Sequence, residues 1–463
     1  MQISPDIDQP ASELKPMNIL GSPLQSTGIT ALTGLAADLA EREAIGKPVR
    51  IGIIGAGEMG TDLVTAVAHM PGVEIVAIAD RRLAGAPKAI EIAGYDADKG
   101  AICESSTQMN LAIENNQIAI TRNAADVVSN ELVEVVIDAT GRPSAGAEIG
   151  QSAIDNGKHL VMMNVEADVT IGPYLKNLAR KKGVIYTVGA GDEPSSTIEL
   201  INFVTAMGYP VVAAGKGKNN AFNIQATPDD YREEAERRNM NPRMLVEFID
   251  GSKTMVEMCC IANATGLVPD KPGMHGPDCS LEELQDVLCP VEDGGILSQK
   301  GCVDFTVGKG VAPGIFVIAE MSHPRIRERM NDLHLGPGPY YRFYRPYHLT
   351  SLEVPLSAAR AVLYGTADMQ PMDRPVAEVC ALAKRDLKKG EKLDFIGEYC
   401  YRSWAMRADD ARHQQAIPVG LLENGIMTCD VKMGTLLTRA NCDIDETSTL
   451  YKMRKMQDEM LGY

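Results

Sequence analysis

From Val49 onward, short apolar runs alternate with stretches whose apolar positions recur at helical spacing. "VRIGIIG", "VEIVAIAD", "VEVVIDATG", "HLVMMNVE" and "GVIYTVG" read as buried strands, each followed by amphipathic sequence. That alternation predicts an α/β unit over residues 49–187, a doubly wound parallel sheet of the Rossmann type covered on both faces. The stretch 83–122 is longer than an ordinary connection, and "KAIEIAGY" and "TQMNLAIENN" within it read as inserted helices. Ahead of this unit, residues 1–48 form an arm, polar at first and helical over "ITALTGLAADLAEREAIG", expected to cover another subunit or domain.

After Thr187 the alternation gives way to helices, a few strands and Gly/Pro-rich loops such as "PDKPGMHGPD" and "LHLGPGPYY". Residues 188–349 are therefore expected to form an α+β domain for substrate and dimerisation. "LTSLEVPLSAARAVLYG" has helical periodicity, and the helix it predicts, within 350–370, is expected to return onto the first unit. From 373 to 463, turns alternate with short β-type runs in "VCALAKRDLKKGEKLDFIG" and "AIPVGLLENGIMTCDVKMGTLLTRANCDI", which predicts a small β-rich domain and a C-terminal tail. The chain's 463 residues agree with several domains, since one hydrophobic core serves roughly 250–300.

Composition narrows the partners more than the fold. Apolar residues make up 45% and charged residues 23%, ordinary for a globular chain. No run approaches the ~18 apolar residues of a membrane span, and the first twenty residues lack the basic start and apolar core of a secretory signal. The ten cysteines include no CxxC, so reduced thiols in a cytoplasm are expected. A formal charge of −17 argues against nucleic acid and anionic membranes as partners. An anionic ligand would then need positive charge concentrated locally.

"IGIIGAGEMG" runs an apolar strand into Gly55-Ala56-Gly57-Glu58-Met59-Gly60 and on into the helical "TDLVTAVAHM". Gly55 permits the tight turn, Gly57 lets the main chain approach a pyrophosphate, and Gly60 lets the helix pack closely on the strand. The N–H groups at the helix start then bind phosphates, which makes residues 55–60 a dinucleotide site. Asp80 ends the next strand, where it would accept from the ribose 2′-hydroxyl of NAD; Arg81 and Arg82 beside it would neutralise the 2′-phosphate of NADP(H) and tilt the choice that way. Ligands of such sheets bind outside the carboxyl ends of the strands. Thr140, Gly141 and Arg142 in "DATGRP" and Glu166 in "MNVEAD" are therefore expected at the same cofactor, with the helices of 83–122 overhanging it.

"AAGKGKNN" gathers Lys216, Lys218, Asn219 and Asn220 after an apolar strand, with the chain expected to turn at Gly215 and Gly217. Lysines polarise a carbonyl about to accept hydride, and amides orient hydroxyls; which lysine acts stays open. "VEFIDGSKTMVEM" offers Asp250, Lys253 and Glu257, the last two on one helical face as an exposed ion pair or as an acid/base pair in a cleft. Glu193 in "GAGDEP" can join them or bind a hard divalent cation, although no spacing specifies a metal. "GPGPYYRFYRPYHL" sets Arg342 and Arg345 among tyrosines, which suits either a phosphate or carboxylate pocket or a hinge of packed aromatic rings. His275 and His348 are acid/base candidates of a residue type that is more often structural.

"IGIIGAGEMG", "AAGKGKNN" and "DGSKTMVEM", taken with the C-terminal "AKRDLKKGEKLD" and "IPVGLLENG", carry a resemblance. Residues 1–370 resemble the homoserine dehydrogenase-like oxidoreductases that bear an added SAF domain, and the whole chain resembles the 1-deoxy-D-xylulose 5-phosphate reductoisomerase-like enzymes. The resemblance implies rearrangement of that sugar phosphate to an aldehyde and NADPH reduction to 2-C-methyl-D-erythritol 4-phosphate, a step towards isoprenoid precursors. It maps the lysine that aids hydride transfer in homoserine dehydrogenases onto Lys216 or Lys218. It implies a phosphate held by Lys253, Arg342 or Arg345 and hydroxyls held by Asn219 and Asn220. Mg²⁺ or Mn²⁺ is a candidate cofactor; its ligands are not assigned, because the acidic pattern of the standard reductoisomerase is missing, and Glu193 and Asp250 are the nearest candidates. The arm and the domain count point to a homodimer or larger homo-oligomer. Two other readings stay open: a homoserine dehydrogenase-like enzyme acting on another hydroxy or carbonyl compound, and a cofactor-binding sensor without turnover.

Overall fold

Seven parallel strands build the first unit: β1 (Val49–Ile54), β2 (Val73–Ala79), β3 (Gly100–Ile102), β4 (Ile118–Thr121), β5 (Val135–Asp138), β6 (His159–Met162) and β7 (Tyr186–Val188). They belong to a computed structural model that describes residues 31–463 apart from 219, 221 and 239, so Asn219 and the first thirty residues of the arm lie outside the described residues. The strand order is β3-β4-β2-β1-β5-β6-β7. Chain direction across the sheet reverses beside β1, and the crevice at the β1/β5 ends is where such sheets bind ligands. Around it lie α1 (Leu35–Ala44), α2 (Glu58–Val67), α3 (Gly85–Ile92), α4 (Ser106–Glu114), α5 (Ala124–Ser129), α6 (Pro143–Asp155) and α7 (Val165–Lys182). The α/β doubly wound expectation holds, with one correction. Residues 83–122 are not only inserted helices: β3 and β4 extend the sheet there, and they are too short for their apolar alternation to stand out beside the polar "ENNQ".

The second unit opens with α8 (Glu193–Ala206) and β8 (Val211–Gly217), then runs through α9 (Arg232–Arg237), α10 (Pro242–Ile249) and α11 (Ser252–Thr265). After β9 (Val268–Pro269) and α12 (Leu284–Val287) come β10 (Cys302–Thr306), β11 (Ile315–Glu320), α13 (Pro324–Asp332) and β12 (Tyr340–Arg345). Its mixed sheet has the order β12-β11-β8-β10-β9, with β8 in the middle. The expected turn at Gly215 and Gly217 is absent: the chain stays extended through Gly217. A Cβ on Gly217 would lie 2.3 Å from Ala312 N, so glycine here admits a neighbouring backbone and does not reverse the chain. Lys216 and Lys218, two residues apart, consequently face the same side.

α14 (Val354–Tyr364) returns to the first sheet and buries Val354, Ala358 and Ala359 among Ile51, Ile53, Val135 and Val161. The C-terminal module holds two antiparallel ribbons, β13 (Ala377–Ala383) with β14 (Tyr401–Arg407) and β15 (Ile426–Met427) with β16 (Cys442–Asp443), the short α15 (Ala408–His413) and the final α16 (Thr449–Leu461). α16 does not trail away. Gln457, 1% exposed, accepts from Tyr174 N on α7, and Arg454 pairs with Glu378 on β13. One continuous core therefore runs from Leu160 and Leu175 through Met255 and Met258 of α11 to Val379 and Tyr401 of the C-terminal ribbon. Among the described residues no helix is long and apolar enough to cross a membrane.

Candidate active site

A cleft of about 1070 Å³ opens between the carboxyl ends of the first sheet and the face of β8. It exceeds the ~300–1,000 Å³ of most single-ligand pockets, leaving room for a dinucleotide beside a second molecule. Gly55, Gly57, Glu58 and Met59 line one end. Gly60 lies beneath them, where a Cβ would sit 2.0 Å from Gly55 O, so only glycine lets α2 start this close to the strand. Nothing lies within 4 Å of where a Cβ on Gly57 would point, which leaves that backbone open to a phosphate.

Asp80 lines the cleft, and both of its carboxylate oxygens already accept main-chain hydrogen bonds, from Ala56 N and Arg82 N at 2.7 Å each. It braces the glycine loop. Arg81, Arg82 and Arg122 line the same end of the cleft, with Arg122 Nη1 donating to Arg81 O at 3.1 Å. At the β5 end, Thr140, Gly141 and Arg142 line the cleft, and Thr140 Oγ1 is buried without a partner, a polar atom left for a ligand. Asp138 sits behind them, accepting from Thr140 N at 3.0 Å; its full burial raises its pKa to about 6.

The opposite end holds a largely buried set of alternating charges. Lys216 Nζ donates to Glu193 at 2.7 Å and to Glu257 on α11. Burial alone would lower the Lys216 pKa, but these two carboxylates hold it above the ordinary lysine value. Lys253 Nζ lies 3.0 Å from Glu166. Burial again opposes its charge, and Glu166, Asp192, Glu257 and Glu247 more than offset it. Burial and the adjacent Glu193 push Glu257 up to about 7, against the pull of Lys216, and the same two influences raise Asp192 well above an ordinary carboxylate. Glu193 moves the other way: burial raises its pKa, but Lys216 and His348, whose Nε2 is 3.4 Å away, hold it below the carboxylate range. Oxygens of Asp192, Glu193 and Glu257 converge within 4.8 Å, and Glu257 Oε1 has no partner.

Lys218 differs from Lys216. It is 6% exposed and donates to two carbonyls, Asn220 O at 2.9 Å and Phe248 O at 2.5 Å. Among the described residues no carboxylate lies within ion-pairing distance of it. Burial and the neighbouring Lys216 lower its pKa to about 8, the range of a lysine able to give up a proton.

Several expected roles are corrected by these positions. Asp250 is buried away from the cleft, pairing with Lys384 at 2.6 Å and accepting from Ser252 N at 2.8 Å at the start of α11, so it is a structural ion. Arg342 donates to Gln285 and Glu282 O, and Arg345 pairs with Glu199 and Glu353 and stacks on Tyr347; neither lines the cleft, because β12 is the edge strand of the second sheet. Lys253 reaches Glu166 across the cleft, and its helical neighbour Glu257 is taken by Lys216. Asn220 lines the cleft with its side chain accepting from Arg238 at 3.1 Å. His275 is held by Asp270 outside the cleft, whereas His348 lines it. The residues that sequence reasoning missed are Asp192, Arg122, Arg238, Arg243 and Glu247. Adjacency to Glu193 in "GAGDEP" was a usable signal for Asp192; the others carry none.

Two family models match. Residues 55–188 match the NAD-binding domain of homoserine dehydrogenase, and residues 191–354 match the catalytic domain described as oxidoreductase DRL. A homoserine dehydrogenase from Methylobacillus glycogenes is 26% identical over 136 residues, which is 29% of this chain and 29% of that protein's own length. Among solved structures, a probable dehydrogenase from Thermotoga maritima superposes with a TM-score of 0.40 at 14% identity, over 69% of this chain and 90% of that one. DOX-P reductoisomerase with fosmidomycin and magnesium gives 0.33 at 16% identity, over 45% and 56%. Likenesses at these scores do not bear on what this chain does.

Proposed function

We propose that this chain, an NAD(P)-dependent oxidoreductase of homoserine dehydrogenase-like type by its matched domains, is an NADPH-dependent reductoisomerase of 1-deoxy-D-xylulose 5-phosphate. The observation that carries this reading is the set of alternating charges at the β8 end of the cleft. Lys216 sits there between Glu193 and Glu257, Lys253 pairs with Glu166, and Lys218 lines the same end without a carboxylate partner, a lining suited to a hydroxylated carbonyl compound. Arg81, Arg82 and Arg122 support NADP over NAD, because Asp80 is already engaged by the glycine loop. With Arg342 and Arg345 outside the cleft, Arg238 and Arg243, which line it while paired with Glu234 and Glu247, are the arginines a substrate phosphate would meet. The C-terminal module is read as SAF-like on its sequence alone.

Bound NADPH supplies the hydride, and a divalent ion would supply a Lewis acid. The residues fit both groups: the open glycine loop and unpartnered Thr140 Oγ1 suit the dinucleotide, and Asp192 and Glu193 would hold a hard cation such as Mg²⁺ or Mn²⁺, which leaves the free Oε1 of Glu257 for proton transfer. In the rearrangement, Glu257 takes the proton from the hydroxyl that becomes the new carbonyl; the carbon–carbon bond from that carbon to the phosphate-bearing fragment breaks as the fragment bonds to the old carbonyl carbon, whose oxygen takes the proton back from Glu257. Lys216 keeps Glu193 and Glu257 in place. In the reduction, Lys218 gives its proton to the oxygen of the aldehyde as hydride reaches carbon, and regains one from water.

NADPH oxidation followed with deoxyxylulose 5-phosphate, then with aspartate semialdehyde, each with and without Mg²⁺ or Mn²⁺, tests this. Oxidation with the sugar phosphate is expected. Oxidation only with the semialdehyde favours the second reading, a homoserine dehydrogenase-like enzyme for an unphosphorylated compound. That reading gains from the placement of Arg342 and Arg345 outside the cleft.

A further inference from the structure

The C-terminal module meets both walls of the cleft at one side chain. Phe395, 4% exposed, has the guanidinium carbon of Arg142 at 5.0 Å from its ring centroid and that of Arg243 at 4.8 Å. Arg142 caps the start of α6 on the cofactor side, Arg243 lies in the first turn of α10 on the substrate side, and both line the cleft. Each guanidinium has further ties: Arg142 Nη1 to Glu423 Oε1 at 2.6 Å, and Arg243 Nη1 to Ile396 O at 2.9 Å and to Glu247 one helical turn on. Arginine side chains have many rotamers and lose that freedom when fixed. A ring face and a fixed acceptor hold them in one arrangement before any ligand arrives.

We propose that Phe395 is a positioning residue for the cleft, and that with Glu423 it presets Arg142 towards the dinucleotide and Arg243 towards the anionic end of the substrate. The inference rests on the dinucleotide occupying the β1/β5 crevice. The third part of the chain thus acts on binding without touching either ligand, and it does so through two arginines from different units. Its effect falls on affinity; the proton-transfer groups Lys218 and Glu257 lie on other elements and keep their environment.

The test compares Phe395→Ala, Phe395→Leu, Phe395→Tyr and Glu423→Gln with the unaltered protein by NADPH fluorescence titration, steady-state kinetics and thermal melting. Phe395→Ala is expected to weaken NADPH and raise substrate KM, each about fivefold, the scale of one lost cation–π contact, with kcat within about twofold. Phe395→Tyr, which keeps the ring, should restore both, and Phe395→Leu, which keeps only bulk, should not. Glu423→Gln, at a partly exposed pair, should fold normally and weaken NADPH alone. Equal NADPH affinity in Glu423→Gln and the unaltered protein would overturn the proposal, as would Phe395→Leu matching the unaltered protein or kcat falling in step with the KM change. If the unaltered protein binds NADPH yet turns over no sugar phosphate, the functional reading fails while the affinity comparison still decides this one.

Discussion

Lys384→Met should destabilise the protein without touching its chemistry. The Lys384 and Asp250 side chains are 2% and 0% exposed, and Nζ lies 2.6 Å from the Asp250 carboxylate while donating to Ala226 O and Glu398 O at 2.8 Å each. Removing the ammonium leaves one carboxylate and two carbonyls buried with less than their full partners. Breaking a buried pair in this way costs about 3–5 kcal/mol. At roughly 2 °C per kcal/mol, the lower end for units of 150–250 residues, the melting midpoint falls by about 6–10 °C. The loss depends on pH. Burial raises the Asp250 pKa above its unfolded value, with Lys384 pulling it back, so deleting Lys384 raises it further. A carboxyl with a raised folded pKa costs stability above that pKa and stops costing it as pH falls through it, so the deficit of Lys384→Met should be larger at pH 8 than at pH 5.5. Melting curves at both pH values for Lys384→Met, Asp250→Asn and the double variant give the coupling directly. The double variant should recover most of the loss, and turnover per folded molecule should stay within about threefold throughout, well below the ~10²–10³ of a lost catalytic donor. Asp250→Asn that melts normally but loses turnover a hundredfold would refute the reasoning and return Asp250 to the catalytic set.

Lys218→Ala should lower kcat by about 10²–10³ with NADPH affinity unchanged. Because Lys218 must carry its proton and is held at about 8, turnover of the unaltered enzyme should fall as pH rises through 8, and a rate profile flat to pH 9.5 would exclude it as the donor. Arg81→Ala combined with Arg82→Ala should weaken NADPH about tenfold or more and leave NADH nearly unchanged, the difference of one charged hydrogen-bonding site; equal losses for both cofactors would remove the 2′-phosphate assignment. Arg238→Ala should raise KM for a phosphorylated substrate about tenfold, whereas Arg342→Ala should leave it alone, as initial-rate kinetics would show.

Most of the cofactor half was legible in the sequence. "IGIIGAGEMG" states its conformation locally: apolar alternation sets the strand, and the glycines set the approach distances that the structure repeats at Gly57 and Gly60. Five of the seven strands were readable for the same reason, while β3 and β4 were too short to show a period. The substrate half was readable only as a list of candidates. "GKGKNN" marks Lys216 and Lys218, but its glycines signal a turn; here glycine makes room for the backbone of 311–312. The tyrosine-rich "YYRFYRPY" misleads for a related reason, since residue types that suit a phosphate pocket also suit an edge strand, where Arg345 finds Glu199 and Glu353 and Arg342 finds Gln285 and a backbone carbonyl.

The sequence by itself determined what depends on neighbours along the chain: strand and helix period, the dinucleotide turn, the acidic overall charge and the pair of lysines two residues apart. Only the tertiary structure decided which charge meets which. Lys216 finds Glu193 and Glu257, Lys253 finds Glu166, Asp250 finds Lys384, and Arg142 and Arg243 meet at Phe395. Those partners are far apart in the chain, and their interaction energy depends on separation in space and on burial. Residue spacing records neither, so the same lysine or arginine can read as catalytic, anchoring or structural until the fold places its counter-charge.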